Sequence, residues 1–271
     1  ENYHSAWHAV RVNDASILNK GTSRWTNYYI EGINWLAKNN FIDGLYLDDI
    51  AFSRSTVKRI ANVLAKNRDS FIIDLHSANQ FNIRDGFINS ALLYMEHFPF
   101  VTRLWFGEYF EYENQPDYWM TEVSGIPFGL TGEMLEGGGR PYHGLIYGMT
   151  TRVYHNYNPG NLWNLFEDFN ISESRMIGYW VDYSPIKVNN KKIKCTIFQK
   201  NDEILISLAS WSENDELIDL FIDWDKIQFD KSKSRLISPD IKFLQELRNY
   251  DIGTKIKINA NEGLVLILKK I

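Results

Sequence analysis

Between residues 41 and 110 the chain repeatedly drives a short apolar run into polar residues, and this pattern restricts the fold most. FIDGLYLDDIAF (41–52) reaches Asp48 and Asp49, FIIDLH (71–76) reaches Asp74 and His76, and ALLYMEHF (91–98) reaches Glu96 and His97. WFGEYF then places Glu108 in the following loop. An amphipathic segment precedes each of the first two runs. TNYYIEGINWLAKNN (26–40) has helical spacing in Tyr29, Ile33, Trp35 and Leu36, with Thr26 as the expected N-cap. SRSTVKRIANVLAKN (53–67) puts Val57, Ile60, Val63 and Leu64 on one helical face. Continuous apolar strands alternating with such helices are the signature of an α/β chain whose parallel sheet is covered by helices; a (β/α)8-type (TIM) barrel, incomplete at its start, is the architecture expected. Ala6–Val10, Tyr118–Leu130 and Gly144–Thr150 are further strand candidates, and WNLFEDFN is a short helix.

The texture changes near Pro185. KIKCTIFQ, EILISLASW, LIDLFIDW, TKIKINA and GLVLILKK are short strands separated by Asn-Asp, Glu-Asn-Asp and Asn-Glu-Gly turn signals, the pattern of a small antiparallel β-sandwich. We therefore divide the chain into a barrel domain (1–185) and a sandwich domain (186–271). A full barrel takes about 250 residues, and only 185 precede the sandwich. With GLYLDD as strand 4, Ala6–Val10 becomes strand 3 and the first two strands fall upstream, so an incomplete barrel or the C-terminal part of a longer polypeptide is expected.

Composition narrows the partners. The net charge is −5 and no basic stripe exists, which argues against nucleic acid or an anionic membrane surface. No apolar run reaches the roughly 18 residues of a membrane span. ENYHSAWHAV has neither the basic nor the apolar region of a signal peptide, so a secreted or periplasmic location requires a leader outside this chain. Cys195 is the single cysteine, which removes an intrachain disulfide and a cysteine metal cluster. His4, His8, His76, His97, His143 and His155 are too scattered for an evident metal site, and no cofactor is expected. Gly137–Gly139 follow no strand and open no helix by pattern, which suits a rim loop rather than a phosphate loop. Ser124 lacks nucleophile-elbow spacing. Oligomeric state is not legible.

In a β/α barrel, catalytic groups stand at the C-terminal strand ends. Asp48, Asp49, Glu96 and Glu108 are the catalytic candidates on that ground, with Tyr46, His76, His97, Arg103 and Trp105 as substrate-binding candidates. The competing explanation is that each acid caps a helix or pairs with Arg54, Arg59 or Arg103. Aromatic density around Tyr94, Trp105, Phe106, Tyr109, Phe110, Tyr112, Tyr118 and Trp119 beside the acids suits pyranose rings, which offer apolar faces and hydroxyls together. Glycoside cleavage needs one protonated and one ionised carboxyl group at a single bond, and close acids drive their pKa values apart. Two arrangements satisfy this. In the first, the aspartate pair works together: one acid polarises the substrate's 2-acetamido group, which acts as nucleophile, and the other protonates the leaving oxygen. In the second, one aspartate is the nucleophile or an orienting group, and Glu96 or Glu108 is its partner.

The residues also carry a family resemblance. LYLDDIAF resembles the strand-4 end of several β/α-barrel glycoside hydrolases, in particular the Asp-Asp pair of family 84 N-acetylglucosaminidases, and more loosely the Asp-Glu pair of families 20 and 123. The order GLYLDD, IDLH, YMEHF, WFGE, then SGIPFGLTGEML and a C-terminal antiparallel domain, resembles the family-123-like bacterial hydrolases and the plan of α-galactosidase-type barrels. The resemblance implies a retaining glycoside hydrolase acting on an oligosaccharide or glycan. The alternatives are a non-catalytic carbohydrate-binding protein on a barrel scaffold and a metal-assisted barrel hydrolase or lyase using Asp49, Asp74 and His76.

Overall fold

The computed structural model describes residues 5–9, 14–17, 23–48, 52–76, 96–105, 116–117, 140–150 and 158–271, with backbone only at 5–9, 14–17, 76 and 104–105. It divides into two compact units, one within residues 1–133 and the other covering 134–271 together with residues 111–113.

In the first unit, β1 (Ser5–Ala9) and β2 (Asp14–Ile17) form an antiparallel ribbon. The strand expected at Ala6–Val10 is thus present as Ser5–Ala9, and its partner among the described residues, β2, runs antiparallel to it. Helix α1 (Arg24–Asn39) follows. Its cap is Ser23 rather than Thr26: the Thr26 amide donates to Ser23 Oγ at 3.0 Å, and Thr26 itself is buried in the first turn. Strand β3 (Gly44–Asp48), helix α2 (Arg54–Asn67), strand β4 (Ile72–His76) and strand β5 (Arg103–Trp105) continue the β/α order. Among the described residues β3, β4 and β5 make a three-stranded parallel sheet.

The apolar stripes of α1 (Ile30, Ile33, Ala37) and α2 (Val57, Ile60, Ala61, Leu64) are buried, as are Leu47, Ile73 and Leu75 of the sheet. Polar bonds hold the two helices together: Arg59 Nη2 donates to Asn27 Oδ1 at 2.8 Å, Asn67 Nδ2 to Asn34 Oδ1 at 3.1 Å, and Arg68 Nη2 to the Ala37 carbonyl at 2.6 Å. Gly44 is required by the sheet itself, since a Cβ there would stand 2.2 Å from the Ile72 carbonyl oxygen. ALLYMEHF does not end as a strand. Glu96–Phe100 winds into a 3₁₀ turn, while 91–95 lie outside the described residues.

The second unit is built on a six-stranded antiparallel sheet. Its helices α3 (Pro141–Leu145) and α4 (Gly160–Phe169) precede strands β6 (Arg175–Ile177), β7 (Ile186–Val188), β8 (Ile193–Gln199), β9 (Glu203–Ser210), β10 (Glu216–Ile218) and β11 (Leu220–Ile222). Then come α5 (Trp224–Ile227), β12 (Ser234–Ser238), β13 (Arg248–Tyr250), β14 (Ile256–Ile258) and β15 (Gly263–Lys270). The strand order of the large sheet is β13-β12-β15-β9-β8-β6, and β10/β14 and β11/β7 form separate two-stranded ribbons.

Both faces of the large sheet are covered. Ile197, Ile206, Leu208, Leu266 and Leu268 pack with Ile186, Ile218, Ile256 and Ile258 of the ribbons, so the antiparallel sheet expected from the sequence is present, with β6 joined to it from ahead of Pro185. Phe198, Leu205, Ala209 and Val265 pack instead with Tyr142, Leu145, Leu162, Leu165 and Phe169 of the helices. This explains why seven successive residues of β9 are buried, where an antiparallel strand with one wet face would alternate. Thr196 anchors the helical layer: its hydroxyl donates to the Ile146 carbonyl at 2.7 Å and accepts from the Tyr179 amide at 3.1 Å. Gly263 lets α3 approach, because a Cβ there would meet Tyr142 Cβ at 2.4 Å.

Gly144–Thr150, read above as a strand, is the end of α3 and its following turns. A short apolar run does not distinguish strand from buried helix, and Pro141 at the first helical position decides for helix. No helix among the described residues is long and apolar enough to cross a membrane.

Candidate active site

The candidate site is set by the register of the parallel sheet. Tyr46 lies opposite Asp74, and Asp74 opposite Arg103; two residues further on, Asp48 lies opposite His76, and His76 opposite Trp105. Five of the predicted residues, with Asp74, therefore occupy two backbone rows of three neighbouring strands, separated by the row of Leu47, Leu75 and Leu104, and the second row ends all three strands. Along β3 the pleat sends Leu47 into the helix-covered core while Tyr46 and Asp48 emerge on the other side, Tyr46 at 47% exposure and Asp48 exposed. Asp48 closes β3, and α2 begins at Arg54.

The lower row carries an ion pair. Asp74, buried, accepts from Arg103 Nε at 2.8 Å and from Arg103 Nη2 at 2.5 Å. Both carboxylate oxygens are used in this fork, so Asp74 and Arg103 form one rigid polar unit beneath the row of Asp48. Of the arginines weighed as acid partners, Arg103 takes that part; Arg54 lies over the Phe100 ring at 4.9 Å and Arg59 bonds Asn27.

His97 and Glu96 come from the 3₁₀ turn after the undescribed segment. Glu96 is exposed, whereas His97 is buried and hydrogen-bonds the Phe52 backbone in the β3–α2 connection. Burial holds the His97 imidazole below its ordinary range; Arg54 acts in the same direction, and Glu96 and the Phe52 bond oppose it. His97 thus ties the turn of Glu96 to the loop that follows Asp48. Asp49 and Glu108 lie outside the described residues, as do the side chains of His76 and Trp105. Among the described residues no group of three or more potential ligands could hold a metal ion.

Sequence reasoning did not single out the aromatic group beside this loop. Trp25 stacks on Tyr29 with centroids 5.4 Å apart, and Phe52 lies 5.1 Å from Tyr29 and 6.0 Å from Trp25. These residues meet because the first turn of α1 and the β3–α2 connection are adjacent, and their helical spacing (i, i+4) was the available signal.

Solved structures share this fold at low sequence identity. A maltogenic α-amylase from Thermotoga neapolitana matches with a TM-score of 0.56 and 11% identity over 97% of this chain and 70% of its own. An α-amylase from Geobacillus thermoleovorans, solved with acarbose, matches with a TM-score of 0.53 and 11% identity over 90% of this chain and 64% of its own. A family-27 β-L-arabinopyranosidase from Geobacillus stearothermophilus gives 0.51 and 11% over 90% of this chain and 61% of its own. The chain thus spans about two thirds of the length of these structures. No curated protein matches it.

The class is that of TIM-barrel proteins with a C-terminal β domain. The chain belongs to the glycoside hydrolase 123 family, whose TIM-barrel domain model matches residues 1–154 and whose C-terminal domain model matches residues 158–269.

Proposed function

We propose that the protein is a retaining glycoside hydrolase that cleaves oligosaccharides or glycans with Asp48 and Asp49 as its paired acids. The observation that carries the reading is the exposed Asp48 at the end of β3, in register with His76 and Trp105 and above the Asp74–Arg103 fork. Family membership supports the reaction class. On this reading Asp48 orients and polarises the substrate's 2-acetamido group, whose oxygen attacks the anomeric carbon as the glycosidic bond breaks. Asp49 delivers a proton to the leaving oxygen and then takes one from the water that opens the cyclic intermediate, giving net retention. Tyr46, His76, Arg103 and Trp105 line the sugar's approach, and His97 holds the loop in place. No metal or cofactor is needed for these steps.

Hydrolysis of aryl glycosides with and without a 2-acetamido group tests the proposal, using the wild type and Asp48→Asn, Asp49→Asn, Glu96→Gln and Glu108→Gln. The expected result is turnover confined to acetamido sugars and lost in both aspartate variants. Turnover of plain hexosides that is lost in one aspartate and one glutamate variant would replace it with a covalent nucleophile and a Glu96 or Glu108 acid/base. A folded wild type that binds sugars without turnover would move the assignment to a carbohydrate-binding protein.

A further inference from the structure

The loop after β12 holds an aromatic residue in an unfavourable backbone state. Ile241 and Gln245 bridge one another, the Ile241 amide donating to the Gln245 carbonyl at 2.8 Å and the Gln245 amide to the Ile241 carbonyl at 3.0 Å. Closing this loop sets Phe243 at φ +71°, in the left-handed region. A Cβ is crowded there, and glycine or asparagine would make the same turn with less strain. The Phe243 ring is 90% exposed, so no core packing offsets the strain. Strain retained at an exposed position points toward function.

The ring borders a two-part depression on α4. One compartment, of about 270 Å³, is lined by Asn158, Leu162 and Phe243; the other, of about 350 Å³, by Asn164, Asp168 and Asp240; Asn161 and Lys242 belong to both. Asn161 Nδ2 donates to the Lys242 carbonyl at 3.2 Å and pins the loop to the helix. Glu203, in the wall of the larger compartment, is engaged by Lys200 at 2.7 Å and Lys269 at 3.6 Å. Asn164, Asp168 and Asp240 are exposed and have no intramolecular side-chain partner among the described residues.

We infer that this depression is a saccharide-binding site on the C-terminal unit, taking a short neutral oligosaccharide. One pyranose of the oligosaccharide stacks on Phe243 in the smaller compartment, where its axial C–H face matches the flat apolar ring, and the amide and carboxylate groups of Asn164, Asp168 and Asp240 take the hydroxyls of its neighbour in the larger one. The choice of ligand class rests on the glycan-directed function proposed above.

The test is calorimetric titration of the full chain, in an Asp48→Asn background that prevents turnover, with N,N′-diacetylchitobiose and with maltotriose. Phe243→Gly is expected to weaken binding of the better probe at least tenfold. It should also leave aryl glycoside hydrolysis of the otherwise wild-type chain unchanged and raise the melting temperature, because φ +71° suits glycine. Asn164→Ala should weaken binding without lowering the melting temperature, because alanine favours this exposed helical position. Undiminished affinity in both variants, a lowered melting temperature for Phe243→Gly, or no heat with either probe overturns the inference. The two readings fail separately. Phe243-dependent binding in a chain that hydrolyses no aryl glycoside removes the enzymatic assignment and keeps this site, and hydrolysis without Phe243-dependent binding does the reverse.

Discussion

Asp74 and Arg103 face each other across β4 and β5 in a two-point fork, with Nε and Nη2 at 2.8 and 2.5 Å from the two carboxylate oxygens. The aspartate side chain is 11% exposed and the arginine 30%, so the pair is only partly wet. Removing one partner of a fully buried pair costs about 3–5 kcal/mol, and partial exposure lowers this to about 2–3 kcal/mol. Asp74→Asn and Arg103→Gln should each lose that much in urea denaturation, and the double variant should lose much less than their sum. Additive losses would mean that the fork contributes nothing as a unit.

Asp48 should behave in the opposite way. It is exposed at a strand end, so Asp48→Asn should change stability by no more than about 0.5 kcal/mol. Its kcat on the preferred aryl glycoside should nevertheless fall by about 10²–10⁴-fold, the range of a positioned acid or base. A stable variant with undiminished kcat would remove Asp48 from the chemistry.

His97 should make stability depend on pH. Burial depresses its native pKa, so the unfolded chain takes up a proton near pH 6.5 while the native ring stays neutral to lower pH. The contribution is complete above that value and is lost as pH falls below it. The urea midpoint of the wild type should therefore drop between pH 7 and pH 5 more steeply than that of His97→Gln; equal slopes would show that another group titrates.

Cys195 lies in the sandwich core, where burial pushes its thiol up to about 12. The unfolded thiol ionises near pH 8.5. The neutral native thiol therefore favours folding fully below that pH, and this contribution is lost as pH rises from there toward 12. At pH 8 the native protein should resist alkylation and label only as fast as the core opens, which mass spectrometry can follow. Rapid labelling of folded protein would place the thiol within reach of solvent.

Gln245 replaces a strand partner. Its Oε1 accepts from the Val265 amide at 2.8 Å, and its Nε2 donates to the Val265 and Pro239 carbonyls at 2.9 Å each, where β12 has left β15. Gln245→Leu strands these backbone groups and should cost about 1–3 kcal/mol. Gln245→Glu, which keeps only the acceptor, should also destabilise the fold. Neutral behaviour of both would show that water takes over the bonds.

The parts of this fold that can be read from residues are those whose local signal and tertiary setting agree. The helices α1 and α2, the runs Gly44–Asp48 and Ile72–His76, and the long strands β8, β9 and β15 emerge within a residue or two of their expected places, although α1 buries Ile30, Ile33 and Ala37 and leaves Trp35 and Leu36 of its expected stripe exposed. Asp48, His76 and Trp105 fall into one register row because strand ends in parallel sheets align by rule, not by local propensity. The misreadings have physical causes. Gly144–Thr150 is apolar because α3 and its turns lie against a sheet, and burial looks the same in strand and helix. The partner of Asp74 stands 29 residues away, so three arginines were equal candidates until the register selected Arg103. Phe41 and Phe243 adopt positive φ without the glycine or asparagine that would have marked the turn.

The double covering of the large sheet bears on how the protein can be cut. A fragment starting at residue 186 would lack β6, α3 and α4, and would turn Phe198, Leu205, Ala209 and Val265 toward water as one greasy plane. A fragment starting ahead of Pro141 carries its own helical cover and keeps the outermost strand on β8. Limited proteolysis should therefore release a soluble C-terminal piece that begins before α3, while a piece trimmed to the bare strands should precipitate.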